Sequence, residues 1–465
     1  MTETFTAIDP TTERVVREIP TLDETALDAA LQRSEDAYDA WRRWSYADRA
    51  KVLNGVAAAM RRDVERLAML MTEEMGKPIV EARGEVEKAC WAAEHYAEHA
   101  EQYLAPVDLP SDATRSYVQH LPLGPVLGVL PWNAPFWLAF RFIAPALMAG
   151  NTAVMKHDRH VPGCAEAIAD VVAQVAAEHG APEAILQHVA IGHDLVERAL
   201  RDDRIKAVSL TGSEKAGGAV ASMAARQIKP AVLELGGSDP AIVLADADLE
   251  HAADIITVMR KINAGQSCIA AKRVIVERAV YDEFVALYAE RLAALRLGDP
   301  REATTDVGPI ARADLREGLH RQVVESIEQG ATLHFGGEIP EGQGFFYPVT
   351  LLTDMTPRMT ACVEETFGPV AAVIPVDSAE QAVAVANDTP YGLAASVWTG
   401  DVARGAAMAA EIEAGQVAVN GIVKTDPRLP SGGVKRSGFG RELGPHGIHE
   451  FVNAQQVWLG PKREG

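Results

Sequence analysis

The sequence predicts an α/β protein with two doubly wound parallel-sheet domains. Its 465 residues are too many for one hydrophobic core, which indicates two or three domains. From Gly124 onward, short apolar segments alternate with segments of helical periodicity, and the alternation starts again after Gly236. Nearly continuous apolar strands separated by helices are typical of parallel sheets that helices cover on both faces.

The two alternations predict the secondary structure of most of the chain. Before them, helical spacing predicts helices over 24–40 and 46–75 within a helical region of 23–103. The first alternation predicts strands at 126–130, 152–156, 185–191, 205–210 and 231–235, and helices at 136–148, 164–178, 195–201 and 214–226. The second predicts strands at 241–243, 273–276, 331–335, 371–375, 395–398 and 416–420, and helices at 250–262, 281–295, 378–387 and 402–411.

Two further strand-like segments lie outside the alternations. Residues 115–121 alternate in polarity and are flanked by Pro106, Pro110 and Pro122, which predicts a protruding hairpin arm. The tail at 451–459 is also strand-like. We expect it to pair with the arm or with another subunit.

Composition excludes several classes of protein. The net charge of -21 argues against binding to nucleic acid or to an anionic membrane. We see no signal peptide and no apolar run of the roughly 20 residues that a membrane span requires. The cysteines are widely spaced without a CxxC pair, so we expect a reducing cytoplasm, no disulfide framework and no metal site. They are Cys90, Cys164, Cys268 and Cys362.

Three residues suggest a chemistry. Cys268 lies in a small, polar segment and is a candidate nucleophile, while Glu234 precedes two glycines and is a candidate base. Asn133 follows a predicted strand, where its amide could donate to an oxyanion together with the Cys268 N–H. Each also has an ordinary interpretation, as a buried small side chain, a loop carboxylate or a turn cap. Their convergence favours covalent oxidation of an aldehyde.

Signals for a cofactor are weaker. Gly212 and Ser213 follow a predicted strand and open a helix, so they could hold a pyrophosphate at the helix N-terminus. The segment is not the GxGxxG fingerprint. Lys156 ends a predicted strand where a nucleotide ribose or phosphate would lie, although such a lysine is otherwise merely solvated.

Together these segments resemble the aldehyde dehydrogenase superfamily over nearly the whole chain. The matching segments are 131–133, 149–152 with Lys156, 211–213, 234–237, 265–268, 364–369 and 431–438. Segments 234–240, 268–273 and 438–443 look most like bacterial succinate-semialdehyde dehydrogenases. The resemblance implies a Rossmann-like nicotinamide-dinucleotide-binding domain at 1–105 and 124–235 and a catalytic domain at 236–440. It also implies a small β oligomerisation flap at 106–123 and 441–465, which makes homodimers or dimers of dimers.

The resemblance also implies roles for individual residues. Cys268 becomes the nucleophile, Asn133 the oxyanion donor and Glu234 the base for the deacylating water. Ser213 matches a pyrophosphate contact, Lys156 an adenosine-ribose contact, and Glu365 and Phe367 the nicotinamide ribose and ring. The full set of implied coenzyme contacts is Pro131, Trp132, Lys156, Arg159, Gly212, Ser213, Leu235, Glu365 and Phe367. The implied substrate contacts are Arg141, Trp137, Ser267 and Ser431.

Arg141 carries the argument for the substrate. It lies eight residues after Asn133 on a predicted helix, so both project from related faces. A guanidinium there could bind a carboxylate at the far end of a short aldehyde, as the matching arginine implies for succinate semialdehyde. The alternative is a helix arginine in a surface ion pair.

Some positions depart from the family pattern. Ala134 and Ser431 replace bulkier aromatic residues near the expected aldehyde tunnel, and Ile262 replaces a second anchoring arginine. Another semialdehyde or a bulkier aldehyde is therefore an alternative substrate. A non-catalytic protein of the same fold is a third hypothesis, against which Cys268, Glu234 and Asn133 argue.

The coenzyme preference depends on Arg159. Many NAD-specific members carry a glutamate three residues after the lysine that matches Lys156, and its carboxylate repels a 2′-phosphate. Arg159 removes that carboxylate and adds a cation, which favours NADP over NAD, although Asp158 lies next to it.

Overall fold

The computed structural model describes residues 4–460 of the chain. The helices are α1 (Glu24–Trp41), α2 (Tyr46–Arg62), α3 (Val64–Met75), α4 (Ile79–Tyr103), α5 (Pro135–Ala149), α6 (Pro162–Glu178), α7 (His193–Arg201), α8 (Glu214–Arg226), α9 (Leu249–Lys261), α10 (Tyr281–Ala293), α11 (Ala313–Glu328), α12 (Thr360–Val363), α13 (Ala379–Asn387), α14 (Val402–Ala409) and α15 (Gly444–His449). The strands are β1 (Thr4–Ile8), β2 (Val15–Pro20), β3 (Val107–Asp108), β4 (Arg115–Pro122), β5 (Pro125–Val129), β6 (Thr152–Lys156), β7 (Leu186–His188), β8 (Ala207–Thr211), β9 (Ala231–Glu234), β10 (Pro240–Val243), β11 (Arg273–Glu277), β12 (Thr332–Phe335), β13 (Thr350–Thr353), β14 (Val370–Val376), β15 (Ala394–Trp398), β16 (Gln416–Val419), β17 (Gly438–Phe439) and β18 (Val452–Leu459).

Two large sheets confirm the predicted fold class. The first has the order β17-β9-β8-β5-β6-β7 and the second the order β12-β13-β14-β11-β10-β15-β16. All neighbours pair in parallel except β17 with β9 and β12 with β13. Helix α5 lies at the centre of the first core, and every one of its residues is buried, because α4 and other helices enclose it.

A small antiparallel sheet projects from the two large ones. Strand β18 pairs with β4 over eight residues, from Val452 opposite Pro122 to Leu459 opposite Arg115, and β3 pairs with the other edge of β4. The tail therefore pairs with the arm of its own chain, which is the first of the two arrangements expected for it. The hairpin of β1 and β2 was not predicted.

The sequence also missed some elements of the second half. Helix α11 buries only Leu319, Gln322, Val323 and Ser326, so its apolar stripe is too thin to register as helical periodicity. Strand β13, which follows β12 in the chain, was missed as well. The helix predicted over 46–75 is two helices that meet at Asp63, and β7 is shorter than the predicted strand at 185–191.

The segment that ends the chain joins the first core before it enters the small sheet. Leu443, Ile448 and Phe451 are buried among residues of α4 and α5. Phe451 packs edge-on against Phe142 with ring centroids 5.8 Å apart, and its carbonyl accepts a hydrogen bond from Asn151 Nδ2 at 2.8 Å. The division into domains at 235/236 and 440/441 stays a prediction.

The predicted site residues lie close to the point where the chain passes from the first large sheet to the second. Glu234 ends β9 in the first sheet, and Pro240 begins β10 in the second. Asn133 follows β5, and Cys268 precedes β11. Because the carboxyl ends of parallel strands meet at one edge, ligands bind in the crevice there. No helix in residues 4–460 is long and apolar enough to cross a bilayer.

Phe451→Ala is expected to destabilise the protein by about 3–5 kcal/mol, because it removes a fully buried ring from the first core. The denaturation midpoint in urea measures the loss. Val402→Ala, at the exposed start of α14, is the control and should change stability by about 0.5 kcal/mol or less. Equal small effects would show that this segment does not belong to the core.

Candidate active site

The loop that carries Cys268 begins with a left-handed turn. Asn263, Ala264 and Gly265 all have positive φ, at 55°, 54° and 74°. For alanine this conformation costs roughly 1–2 kcal/mol, so surrounding contacts must hold it. A Cβ on Gly265 would lie 2.2 Å from the Gly368 carbonyl oxygen. The loop is therefore pressed against the segment at 364–369.

Two buried cations hold this loop in place. Arg260 donates from Nη2 to the Gly265 carbonyl at 2.7 Å. Lys272, which is fully buried, donates from Nζ to the carbonyls of Ser267 at 2.8 Å and Cys268 at 2.6 Å. The same ammonium lies 3.0 Å from Glu365 Oε1. The backbone at the thiol is thus fixed by charge-assisted hydrogen bonds.

Asn133 faces this loop from the first sheet. Its Nδ2 donates to the Gln266 carbonyl at 3.1 Å. Its own carbonyl accepts from Lys77 Nζ at 2.9 Å and from Asn263 Nδ2 at 2.8 Å. These contacts join the end of β5 to the cysteine loop and bring the amide and the thiol to one place.

Two cavities meet at the thiol. The larger has a volume of about 760 Å³ and the smaller about 320 Å³. Asn133, Leu138 and Cys268 line both. Cys268 is half-buried, whereas the other three cysteines are buried. A molecule in either cavity can therefore approach this one sulfur.

Burial sets the protonation of the thiol. It raises the pKa of Cys268 to about 12, although Lys272 and Arg141 act in the opposite direction. The thiol therefore stays protonated at neutral pH until a base or a bound group draws its proton away.

Glu234 takes part in a buried ion cluster. Its Oε2 lies 2.7 Å from Arg141 Nη2, and the same nitrogen lies 2.5 Å from Glu442 Oε2. Burial raises the pKa of Glu234 to about 7, against the lowering effect of Arg141 and with the help of Glu442. One guanidinium thus pairs with two carboxylates, and the pKa of Glu234 lies close to neutral pH.

The structure places Arg141 differently from a free substrate anchor. It lines the smaller cavity, but its Nη2 is engaged by Glu234 and Glu442. Arg141 thus forms ion pairs, but they are buried, whereas the alternative drawn from the sequence was a surface ion pair. The role of Arg141 toward a substrate stays a prediction. Ser431 lies behind it, with Oγ 3.5 Å from Arg141 Nη2. Trp137 and Ser267 line the smaller cavity.

The larger cavity collects the residues predicted to bind a coenzyme. Its lining includes Pro131, Trp132, Lys156, Gly212, Ser213, Leu235, Glu365 and Phe367. The rings of Trp132 and Phe367 meet edge-on at 5.8 Å. Arg159 is exposed and lies outside this lining, whereas Lys215 and Arg312 lie within it.

Local contacts suit this cavity to a dinucleotide. Ser213 caps α8 by accepting from the Ala216 N–H at 3.3 Å, at a helix end that favours anions. Thr211 Oγ1 is buried with no partner in the described residues. Glu365 accepts from the Gly237 N–H at 3.0 Å, and a Cβ on Gly236 would lie 2.4 Å from its Oε2. These groups hold Glu365 at the cavity wall.

Comparison with known proteins decides the family. The sequence pattern of the aldehyde dehydrogenase family matches residues 1–457. The chain belongs to the aldehyde dehydrogenase family. It is 46% identical to a probable succinate-semialdehyde dehydrogenase [NADP(+)] of Synechocystis sp., over 97% of this chain and 99% of that one. It is 44% identical to the succinate-semialdehyde dehydrogenase [NADP(+)] of Mycobacterium avium, over 98% and 97%.

Solved structures agree with this assignment. The crystal structure of succinic semialdehyde dehydrogenase from Streptococcus pyogenes in complex with NADP+ superposes on this aldehyde dehydrogenase with a TM-score of 0.95. The two chains are 33% identical, and the match covers 98% of this chain and 100% of the other. The predicted enzyme class is confirmed.

Several residues of this aldehyde dehydrogenase site escaped the sequence analysis. Lys272 lies in the segment 268–273, which the sequence analysis used only for the resemblance, and Arg260 lies two residues before Ile262. Glu442 lies more than two hundred residues from Glu234 along the chain. A buried charge so far along the sequence leaves no local pattern, so only the fold shows that Glu442 and Arg141 meet.

Alkylation of this aldehyde dehydrogenase by iodoacetamide, without coenzyme, should accelerate steadily with pH up to at least about pH 9.5, because burial raises the pKa of Cys268 above the roughly 8.5 of a free thiol. Mass spectrometry should place the label on Cys268 alone, with Cys268→Ser as the unlabelled control. A rate that levels off below about pH 8.5 would contradict the buried thiol.

Proposed function

We propose that this aldehyde dehydrogenase oxidises succinate semialdehyde to succinate through a thioester on Cys268, with NADP as coenzyme. The observation that carries the proposal is the position of Cys268 where the two cavities meet. One cavity suits a dinucleotide and the other a short, charged aldehyde. The named activity of the relatives from Synechocystis and Mycobacterium avium supports the same conclusion.

Cys268 and Asn133 carry the first step. The thiol first gives its proton to the Glu234 carboxylate, which passes it to solvent, and the thiolate then attacks the aldehyde carbon, so that the carbonyl oxygen becomes an oxyanion. The Asn133 amide and the Cys268 N–H are the donors that stabilise this charge. A bound nicotinamide coenzyme supplies the acceptor for the hydride that leaves the same carbon.

Glu234 carries the second step. It lines the larger cavity within reach of the thioester region, and its raised pKa of about 7 suits a general base at neutral pH. As carboxylate it takes a proton from water, which then hydrolyses the thioester. Arg141 restrains the base through Oε2, while Oε1 has no hydrogen-bond partner among the described residues.

The coenzyme assignment depends on the larger cavity. We infer that Ser213 and Gly212 hold the pyrophosphate, that Glu365 and Phe367 hold the nicotinamide ribose and ring, and that Lys156 binds the adenosine ribose. Arg159 supports a 2′-phosphate, because it is exposed and carries no ion pair among residues 4–460, although Asp158 lies next to it. NAD is the alternative coenzyme.

The substrate assignment depends on the smaller cavity. Its lining includes four cations, Lys77, Lys88, Arg141 and Lys424, against the two carboxylates of Glu81 and Glu85, which suits an aldehyde with a terminal carboxylate. Ala134 lies in the same lining and leaves room, which supports another semialdehyde or a bulkier aldehyde as the second candidate.

We also infer a homo-oligomer, a homodimer or a dimer of dimers, that acts in the cytoplasm. Strand β18 forms an edge of the small sheet, and Trp458 and Leu459 at its end are exposed. An exposed edge strand with apolar residues offers unpaired backbone groups with which another chain can pair. The four cysteines are free, which suits a reducing compartment.

Glu234→Gln should form about one reduced coenzyme per subunit in a burst and then turn over at least about 100-fold more slowly, because the thioester loses its base. In the unmodified enzyme, kcat should fall as pH drops below about 7, since the base acts as carboxylate. Stopped-flow absorbance at 340 nm measures both. Glu302→Gln, on the exposed surface, is the control, and a burst-free Glu234→Gln enzyme with full turnover would contradict the role.

Steady-state kinetics should give a higher kcat/KM with NADP than with NAD, and a higher kcat/KM with succinate semialdehyde than with butanal. Arg159→Glu should lower the preference for NADP, because its carboxylate repels a 2′-phosphate. Arg43→Glu is the charge-matched control, because Arg43 is an exposed arginine between α1 and α2. A tenfold preference for NAD would contradict the coenzyme assignment.

A further inference from the structure

Lys88 presents a cation to the smaller cavity from helix α4. Its Nζ donates to Thr425 Oγ1 at 2.9 Å and lies 4.2 Å from the centre of the Trp137 ring. Trp137 Nε1 donates to the same hydroxyl at 3.0 Å. Lys88, Trp137 and Thr425 line the cavity together with Cys268. The ammonium is thus held in a fixed place on the wall that a substrate would contact.

The carboxylates nearest to Lys88 are already engaged by other groups. Glu85 pairs with Lys77 and accepts a hydrogen bond from the Phe136 N–H at 2.9 Å. These two contacts hold its carboxylate at the start of α5. Asp426 accepts from Arg428 Nη2 at 2.7 Å. Within residues 4–460, no carboxylate forms an ion pair with Lys88.

The other cations of the cavity differ from Lys88. The Nη2 of Arg141 is shared by Glu234 and Glu442, Lys77 pairs with Glu85, and Lys424 is exposed. Burial lowers the pKa of Lys88 to about 8, with Arg141 and Lys424 lowering it further and Glu85 and Asp426 raising it. An incoming anion would gain most from this cation, because burial strengthens the attraction and no counter-ion has to be displaced.

We propose that Lys88 is the residue that binds the distal carboxylate of the substrate, with Thr425 as its partner. The Thr425 hydroxyl accepts from both Lys88 and Trp137, so its own proton is left to donate to a carboxylate oxygen. Ile262 lines the same cavity without a charge, so the cation must come from elsewhere on the wall. This inference rests on the proposed function, since it requires an aldehyde that carries a carboxylate.

Lys88→Met tests the assignment, because it keeps an unbranched side chain only one atom shorter and removes the charge. The ratio of kcat/KM for succinate semialdehyde to kcat/KM for butanal should fall at least tenfold, mainly through a higher KM for succinate semialdehyde. Lys88→Arg should keep the ratio within about threefold of the unmodified enzyme, because a guanidinium still binds a carboxylate. Lys51→Met, which removes an exposed lysine on α2, is the charge-matched control and should leave the ratio unchanged.

The pH profile gives a second readout. In the unmodified enzyme, KM for succinate semialdehyde should rise as pH increases above about 8, since a neutral amine binds a carboxylate weakly, and KM for butanal should not follow it. Lys88→Arg should abolish this rise because arginine stays charged. Circular dichroism melting curves show whether each variant is folded.

The outcomes separate the two proposals. If the unmodified enzyme does not prefer succinate semialdehyde over butanal, the proposed substrate fails and this inference fails with it. If that preference is present and the folded Lys88→Met enzyme keeps it, the inference alone is overturned. A selective loss that Lys88→Arg restores supports both.

Discussion

The buried ammonium of Lys272 connects the parts on which this site depends. It binds two carbonyls of the cysteine loop and Glu365, and Glu365 accepts from the Gly237 N–H between the two sheets. A buried charge that loses its partners costs about 3–5 kcal/mol, so none of these contacts can be given up separately. The strained turn before the thiol, the coenzyme wall and the crossing between sheets are therefore held as one unit.

The arrangement around Arg141 gives its glutamate neighbours unequal roles. Both carboxylates are buried against one guanidinium, but Glu234 also borders the larger cavity. Because a single positive charge cannot fully stabilise two negative ones, one carboxylate is driven toward its protonated form. Arg141, which the family resemblance assigns to the substrate, thus already forms an ion pair with Glu234, the proposed base.

How much could be read from the sequence depends on the range of each interaction. The parallel sheets were predictable because apolar strands and turn residues are local patterns. Glu234 and Asn133 stood out at the ends of such strands, and Cys268 stood out in a small, polar loop. Helix α11 was missed because its buried stripe is short. The engagement of Arg141 by Glu442, and the position of Lys88 beside Thr425, depend on residues that only the folded chain brings together.

The raised pKa of the Cys268 thiol has a consequence for the oxidation of the enzyme by peroxide. Peroxide reacts with thiolates rather than with protonated thiols, and burial keeps the Cys268 sulfur protonated at rest. The other three cysteine side chains are buried. The idle enzyme is therefore shielded from sulfenic acid formation, and its exposure to damage is confined to the moments in which it is working.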